Sequence, residues 1–333
     1  MSKRQPPPSA HDVARLAGVS QAAVSRAFTP GASIAAATRD RVFEAAKTLG
    51  YRPNLLARSL IKGASGIVGV VISNSGYPFF LAALDALSAD LSHHGKHILI
   101  YTAEAGAVAD RQVEELLKFR VEAVLLMSTT LSAKLTAQCQ REGVPVIGFS
   151  HPPKAARGLS TVTGDDLEGG AAIAKHLLQQ GYRNLAVISG RPDPAAPYDR
   201  EAGFMRHLAQ QGVRLAAREV GYFRRAGAIS AARALLSRSP RPDAIFCEND
   251  DMALAALEIA HFEFDLEIGR DLGVAGFDDA EQAAWPSFDL TTYSLPIHAV
   301  TERVTALLTD KHTRFPVAAV VPGELKVRSS TQR

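Results

Sequence analysis

The chain has 333 residues, 47% of them apolar and 21% charged, with a formal net charge of +3. That is the composition of a packed globular protein of two domains, or of one small and one large. No apolar run is long enough to span a bilayer, so no membrane partner is expected. The basic, proline-rich start lacks the apolar core of a signal peptide. The two cysteines, Cys139 and Cys247, are too few for a disulfide framework. A cytoplasmic protein fits all of this.

The charge is unevenly spread. Residues 1–62 hold ten Lys/Arg against three Asp/Glu, a net of +7, which leaves −4 for the rest of the chain. The simplest inference is a polyanion partner for the amino-terminal part alone.

That part begins with Ser9 and Asp12, an S-x-x-D pattern that predicts a capping box. Val13, Leu16 and Ala17 then fall at helical spacing and form one apolar face. Gly18 supplies the positive φ that ends a helix, and Ser20 is an N-cap for the next. On that second helix Val24 and Phe28 turn inward, while Gln21, Ala22, Ser25 and Arg26 share the other side. Spacing alone allows either an ordinary αα-hairpin or a DNA-reading helix-turn-helix. A third helix is predicted over 39–49, with Val42, Phe43, Ala46 and Leu49 inward. Residues 54–61 are helix-prone but too short to be stable alone. Gly63 to Gly66 read as a flexible link.

The segments DVARLAGVSQAAVSRAF, TRDRVFEAAKTLGYRPN and LARSL, in this order, resemble the amino-terminal module of lactose-repressor (LacI/GalR-type) transcription regulators. The resemblance continues to near the carboxyl end. It implies a small all-α helix-turn-helix domain (9–53), a hinge helix and linker (54–65), and a two-lobed α/β effector domain (66–333) of the periplasmic-binding-protein type. It also implies that Gln21, Ala22 and Arg26 face bases in the major groove, with Ser20 and Ser25 gripping phosphate. Arg26 suits guanine and Gln21 adenine, each worth roughly 1–3 kcal/mol of discrimination. Asn54, Ala57, Arg58 and Leu60 belong to the segment that meets the minor groove, Leu60 as a wedge that kinks the duplex. Two departures stand out. Ala23 replaces a usual hydroxyl, and Ala35 replaces a usual cap for the third helix; Thr38 is a possible substitute for the latter.

From residue 67 short apolar runs alternate with helical patterns. Strands are expected at 67–73, 97–102, 123–127, 144–149, 184–189, 243–247 and 272–276. Helices are expected at 79–93, 109–119, 131–141, 167–180, 200–211, 228–237, 250–261 and 297–308. This alternation means parallel sheets covered by helices, and the strand count suggests two lobes. The resemblance adds three crossings between lobes, placed near Gly164, Leu295 and Pro322. Lobe 1 is then about 66–164 and 295–321, and lobe 2 about 165–294 and 322–333.

Ligands of open parallel sheets bind beyond the strand carboxyl ends. The loops there carry Phe79, Phe80, Arg200, Phe223, Asn249 and Asp278, which match the family's effector-site motifs in order. The resemblance gives Phe79, Phe80 and Phe223 as apolar walls, and Arg200, Asn249 and Asp278 as polar contacts to a small metabolite. The plainer reading makes Asn249 a helix cap and Phe80 core. Arg200 is expected to serve the ligand rather than the framework, because a guanidinium at a helix start opposes the dipole. Arg224 and Arg225 either hint at an anionic ligand, such as a sugar acid or a phosphorylated sugar, or are solvated surface.

No metal or cofactor is expected. Gly95 interrupts His93, His94 and His97, and Gly164 to Gly170 lack the lysine of a phosphate loop. No G-x-S-x-G elbow is present, and the acid pairs Asp165/Asp166 and Asp278/Asp279 have no partner base, so an enzyme is not expected. The reading is a homodimeric, sequence-specific transcription regulator, a repressor on a near-palindromic double-stranded operator, controlled by a small metabolite (a sugar, sugar acid or similar) in the inter-lobe cleft. The competing readings are a two-lobed solute-binding protein without DNA function and an enzyme on the α/β lobes.

Overall fold

The computed structural model describes residues 8–29, 31–52, 65–73, 77–104, 107–149, 158–194, 198–310 and 312–333. The chain divides into two units, Met1–Ser65 and Gly66–Arg333.

The first unit holds α1 (Ala10–Ala17), α2 (Gln21–Ala27) and α3 (Ala36–Leu49). Ser9 and Asp12 form the reciprocal capping box, and Gly18 sits at φ +65° as the left-handed stop of α1. Ser20 caps α2 by accepting from the amide of Ala23. The core is built from Val13, Ala14, Ala17, Val24, Ala27, Val42, Ala45 and Ala46, with Phe28 and Tyr51 packed against it. Three sequence expectations need correction. Leu16 is 54% exposed, because the buried stripe of α1 runs through the small Ala14, and alanines let the helices approach closely. Phe43 is also largely exposed and meets only the edge of Phe28. The third helix starts three residues earlier than the apolar pattern suggested, and Ala35 gives it no side-chain cap. The predicted hinge segment, 54–61, lies outside the described residues.

The second unit contains two six-stranded sheets. The first is made by β1 (Ile67–Ile72), β2 (His97–Thr102), β3 (Ala123–Met127), β4 (Val146–Phe149), β5 (Ser160–Gly164) and β11 (Ala318–Val321), in the order β11-β5-β4-β3-β1-β2. The second is made by β6 (Leu185–Ser189), β7 (Ala217–Val220), β8 (Ala244–Cys247), β9 (Gly273–Asp278), β10 (Thr291–Ser294) and β12 (Glu324–Lys326), in the order β12-β10-β9-β8-β6-β7. All pairings are parallel except that of β10 with β12. Strands such as β3 and β8 are apolar at every position because helices cover both faces. Those helices are α4 (Pro78–His93), α5 (Asp110–Lys118), α6 (Ala133–Arg141), α7 (Asp166–Gln179), α8 (Asp199–Gln210), α9 (Arg225–Leu236), α10 (Asp250–Phe264) and α11 (Ile297–Thr309).

The chain passes from the first sheet to the second after β5, returns after β10, and passes again after β11. The three passages lie together. Gly164 approaches Leu295 so closely that a Cβ would stand 2.5 Å from its Cδ1. Gly323 sits as tightly on the carbonyl of Ser294, and the amide of Asp165 donates to the carbonyl of Val321.

In the second lobe α7 and α8 are pressed backbone to backbone. A Cβ on Gly170 would fall 1.8 Å from the carbonyl oxygen of Arg200, and one on Gly203 would fall 1.9 Å from that of Leu167. These glycines bring the starts of the two helices together. Gly170→Ala should therefore destabilise the second unit by about 1–3 kcal/mol or more, the scale of overpacking. Urea unfolding of the full chain, followed for that unit's transition, reads the loss.

Candidate effector cleft and DNA-reading face

On α2 the residues split cleanly by exposure. Ala23, Val24 and Ala27 are buried, whereas Gln21, Ala22, Ser25 and Arg26 are exposed on one face, with Ser20 exposed at its start. Asn54, Ala57, Arg58 and Leu60 lie outside the described residues.

In the second unit Phe79, Phe80, Arg200, Phe223, Asn249 and Asp278 all line one cavity, together with Tyr77, Ser128 and Tyr198. They come from both lobes. The first turn of α4 supplies Tyr77, Phe79 and Phe80, whose rings lie 5.5–6.2 Å apart. The second lobe supplies Arg200 from α8, Phe223 after β7, Asn249 after β8, and Asp278 at the end of β9. Tyr198 and Phe223 meet edge to face at 5.2 Å. The sequence reading missed Tyr77, Ser128 and Tyr198. The strand-end rule that located the others also points to Ser128, the residue after β3, and Tyr77 stands in the same short loop as Phe79.

Arg200 is wholly buried, which corrects the expectation that it serves a ligand alone. Its Nη1 donates to the carbonyl of Glu248, and its Nη2 faces Asp166 at 3.4 Å and Asp278 at 3.3 Å. Its guanidinium lies 3.8 Å over the ring of Phe277. The dipole cost at the helix start is offset by these acids, which raise its pKa against burial. Its Nε is buried with no partner in the structure.

Asp278 sits at φ +105°, so the chain turns sharply as β9 ends. One carboxylate oxygen takes Arg200 and the other accepts a 2.6 Å hydrogen bond from the hydroxyl of Tyr77. Burial lifts Asp278 to about 6, opposed by Arg200 and the Tyr77 bond. Burial and the Asp278 charge push the Tyr77 phenol well above its ordinary range, so it remains the donor. Behind it Asp250 accepts from Thr292 and from the amide of Ala280, pinning the loop after β9. Asn249 caps α10 through its side-chain oxygen while lining the cavity, so both readings of it describe its position. Glu248 is fully buried, takes the amide of Gly190 and the hydroxyl of Ser189, and has one oxygen without a partner. Burial raises it to about 7.

Arg224 and Arg225 are exposed and do not line the cavity; Arg225 pairs with Glu258. Their hint of an anionic ligand therefore has no counterpart in the site. The cavity itself is about 30 Å³, far below an open small-molecule site. Among the described residues no cluster of three or more His, Cys, Asp or Glu side chains is placed to hold a metal. No described helix is long and apolar enough to cross a membrane.

A helix-turn-helix and a two-lobed α/β unit closing on a small polar and aromatic cavity define a DNA-binding regulator controlled by a small molecule. Comparison with known proteins agrees. Residues 9–54 match the profile of bacterial regulatory proteins of the lacI family, and residues 174–331 match that of a periplasmic binding protein-like domain. The chain is 30% identical to the HTH-type transcriptional regulator CelR of Thermobifida fusca, over 98% of this chain and 99% of that one. The solved CelR–cellobiose complex matches at 28% identity and a TM-score of 0.71, covering 97% of this chain and 99% of that one. The Lac repressor dimer bound to operator shares the fold, with a TM-score of 0.86 at 23% identity over 98% of this chain and all of that one. The chain belongs to the LacI family of transcriptional regulators.

The pH dependence of stability carries a signature of this site. A carboxyl raised on folding contributes stability that is full below its unfolded pKa and lost as pH rises through the folded one. Glu248 is raised from 4.5 to about 7. Between pH values of about 5 and 8 the protein should lose on the order of 3 kcal/mol relative to Glu248→Gln. Taking the difference from the variant removes His176, whose burial-lowered pKa has the opposite trend. Thermal unfolding of both proteins across that range measures it.

Proposed function

We propose that the chain is a homodimeric repressor that reads a near-palindromic operator through α2 and releases or engages it when a neutral metabolite binds between the lobes. It acts in the cytoplasm, at the nucleoid. The observation that supports this most is the cavity, whose six sequence-matched residues come from both lobes and converge on one small space. A ligand that favours one lobe arrangement changes operator affinity only by its differential affinity for the two, typically worth about 1–3 kcal/mol. Phe79, Phe80 and Phe223 serve as stacking walls, while Asp278, Arg200 and the amide of Asn249 bond the polar rim of the ligand. The carboxylate of Asp278 lines the cavity, and Arg200 beside it is already paired with Asp166, which favours an uncharged, donor-rich ligand.

On the DNA side Arg26 and Gln21 read bases, Ser20 and Ser25 hold phosphate, and Ala22 touches a thymine methyl. The segment carrying Asn54, Ala57, Arg58 and Leu60 follows the minor groove, on the strength of its sequence. The rival solute-binding reading leaves both the basic amino-terminal excess and the exposed polar face of α2 without a role.

Selection from a palindromic DNA library at stepped salt tests this. Specific binding should emerge and weaken steeply with salt as counterions are released. Arg26→Ala should cost roughly 1–3 kcal/mol at one position per half-site, leaving the other positions discriminated. If no sequence is enriched at any salt, the reading fails. Phe223→Ala should abolish stabilisation by whichever metabolite raises the melting temperature, while operator binding persists. Loss of both activities would mark Phe223 as framework instead.

A further inference from the structure

Tyr77 does something that the match to effector-site motifs does not assign. It is 6% exposed, at the first turn of α4 in the first lobe, and its hydroxyl reaches across to Asp278 in the second. Its ring is held by Phe80 edge-on at 5.8 Å and by Phe79 at 6.2 Å. With Tyr77 on one oxygen and Arg200 on the other, the Asp278 carboxylate has both oxygens engaged. The space left beside it is about 30 Å³, far less than a sugar-sized ligand needs. A sugar-sized ligand needs more room than this, and parting the lobes to make it breaks the phenol–carboxylate bond.

We propose that Tyr77 is a specificity-determining residue of the cleft: its phenol is a tethered stand-in for a ligand hydroxyl on Asp278, so only a ligand bringing a neutral hydrogen-bond donor to that carboxylate displaces it. The proposal rests on the cleft being the effector site. Because the phenol is part of the same chain, it competes at a high effective concentration. The affinity of any ligand is lowered by the fraction of molecules in which the phenol is in place. A hydroxyl or N–H replaces the phenol like for like. A carboxylate or phosphate would face the Asp278 carboxylate, with Arg200 already paired with Asp166, and would leave a buried charge unpaired.

Tyr77→Phe removes the donor and keeps the ring. Calorimetric titration of the full-length wild type and variant with cellobiose, glucose, gluconate and glucose 6-phosphate reads specificity. Amide exchange over residues 77–83 and 276–282 without ligand reads closure. The variant should exchange faster in both segments and bind whichever neutral sugar the wild type binds at least about tenfold tighter, the worth of a hydrogen bond to a charged group. Gluconate and glucose 6-phosphate should bind neither protein. Equal or weaker sugar binding by the variant, unchanged exchange, or tight binding of an anion would each overturn the proposal. Faster exchange with no sugar bound by either protein supports the stand-in and removes these sugars as the ligand, a failure of the effector assignment rather than of Tyr77.

Discussion

A charged guanidinium with no exposed surface is the constraint around which the second unit is arranged. Arg200 is kept ionised by Asp166 and Asp278, by the carbonyl of Glu248 and by the face of Phe277. The four partners come from three stretches of chain: the start of α7, the end of β9, which gives both Asp278 and Phe277, and the end of β8. Removing one member of such a buried pair typically costs about 3–5 kcal/mol, because the survivor is left uncompensated. The glycine contacts between α7 and α8 follow from this need, since they set Arg200 beside Asp166. So does the sharp turn at Asp278, which aims its carboxylate inward. The groups that would meet a ligand are thus the same groups that hold the lobe together.

The acids nearby respond to that crowding. Burial lifts Asp278 to about 6 and Glu248 to about 7, and Asp250 too is held well above its ordinary range by burial and by the neighbouring Asp278. A second cluster, Ser189, Glu201 and Arg218, adjoins Glu248 and anchors the start of α8 to the end of β6. The cleft floor is therefore a continuous polar network under an aromatic wall.

Much of this was legible in the sequence, and the exceptions have physical causes. The caps at Ser9 and Ser20 and the stop at Gly18 are local chemistry, and they fall where spacing put them. Long apolar strands such as β1 and β3 announce themselves. The strands absent from the expected set, β5, β7, β10, β11 and β12, are three to five residues long, and β5 and β10 are rich in serine and threonine. Their place is decided by neighbours in the sheet rather than by pattern. Local reasoning also misjudged Arg200, because its acids lie 34 and 78 residues away in sequence. The Tyr77 bond spans 201 residues and is invisible to any window. Leu16 and Phe43 have the right period, yet close helix approach through alanines excludes them from the core.

The three passages between the sheets run side by side, with Gly164 against Leu295 and Gly323 against Ser294. Three adjacent tethers resist sliding and twisting but yield to bending, so the lobes are left with essentially one degree of freedom, as on a piano hinge. Whatever fills the cavity, the message it sends outward is an angle.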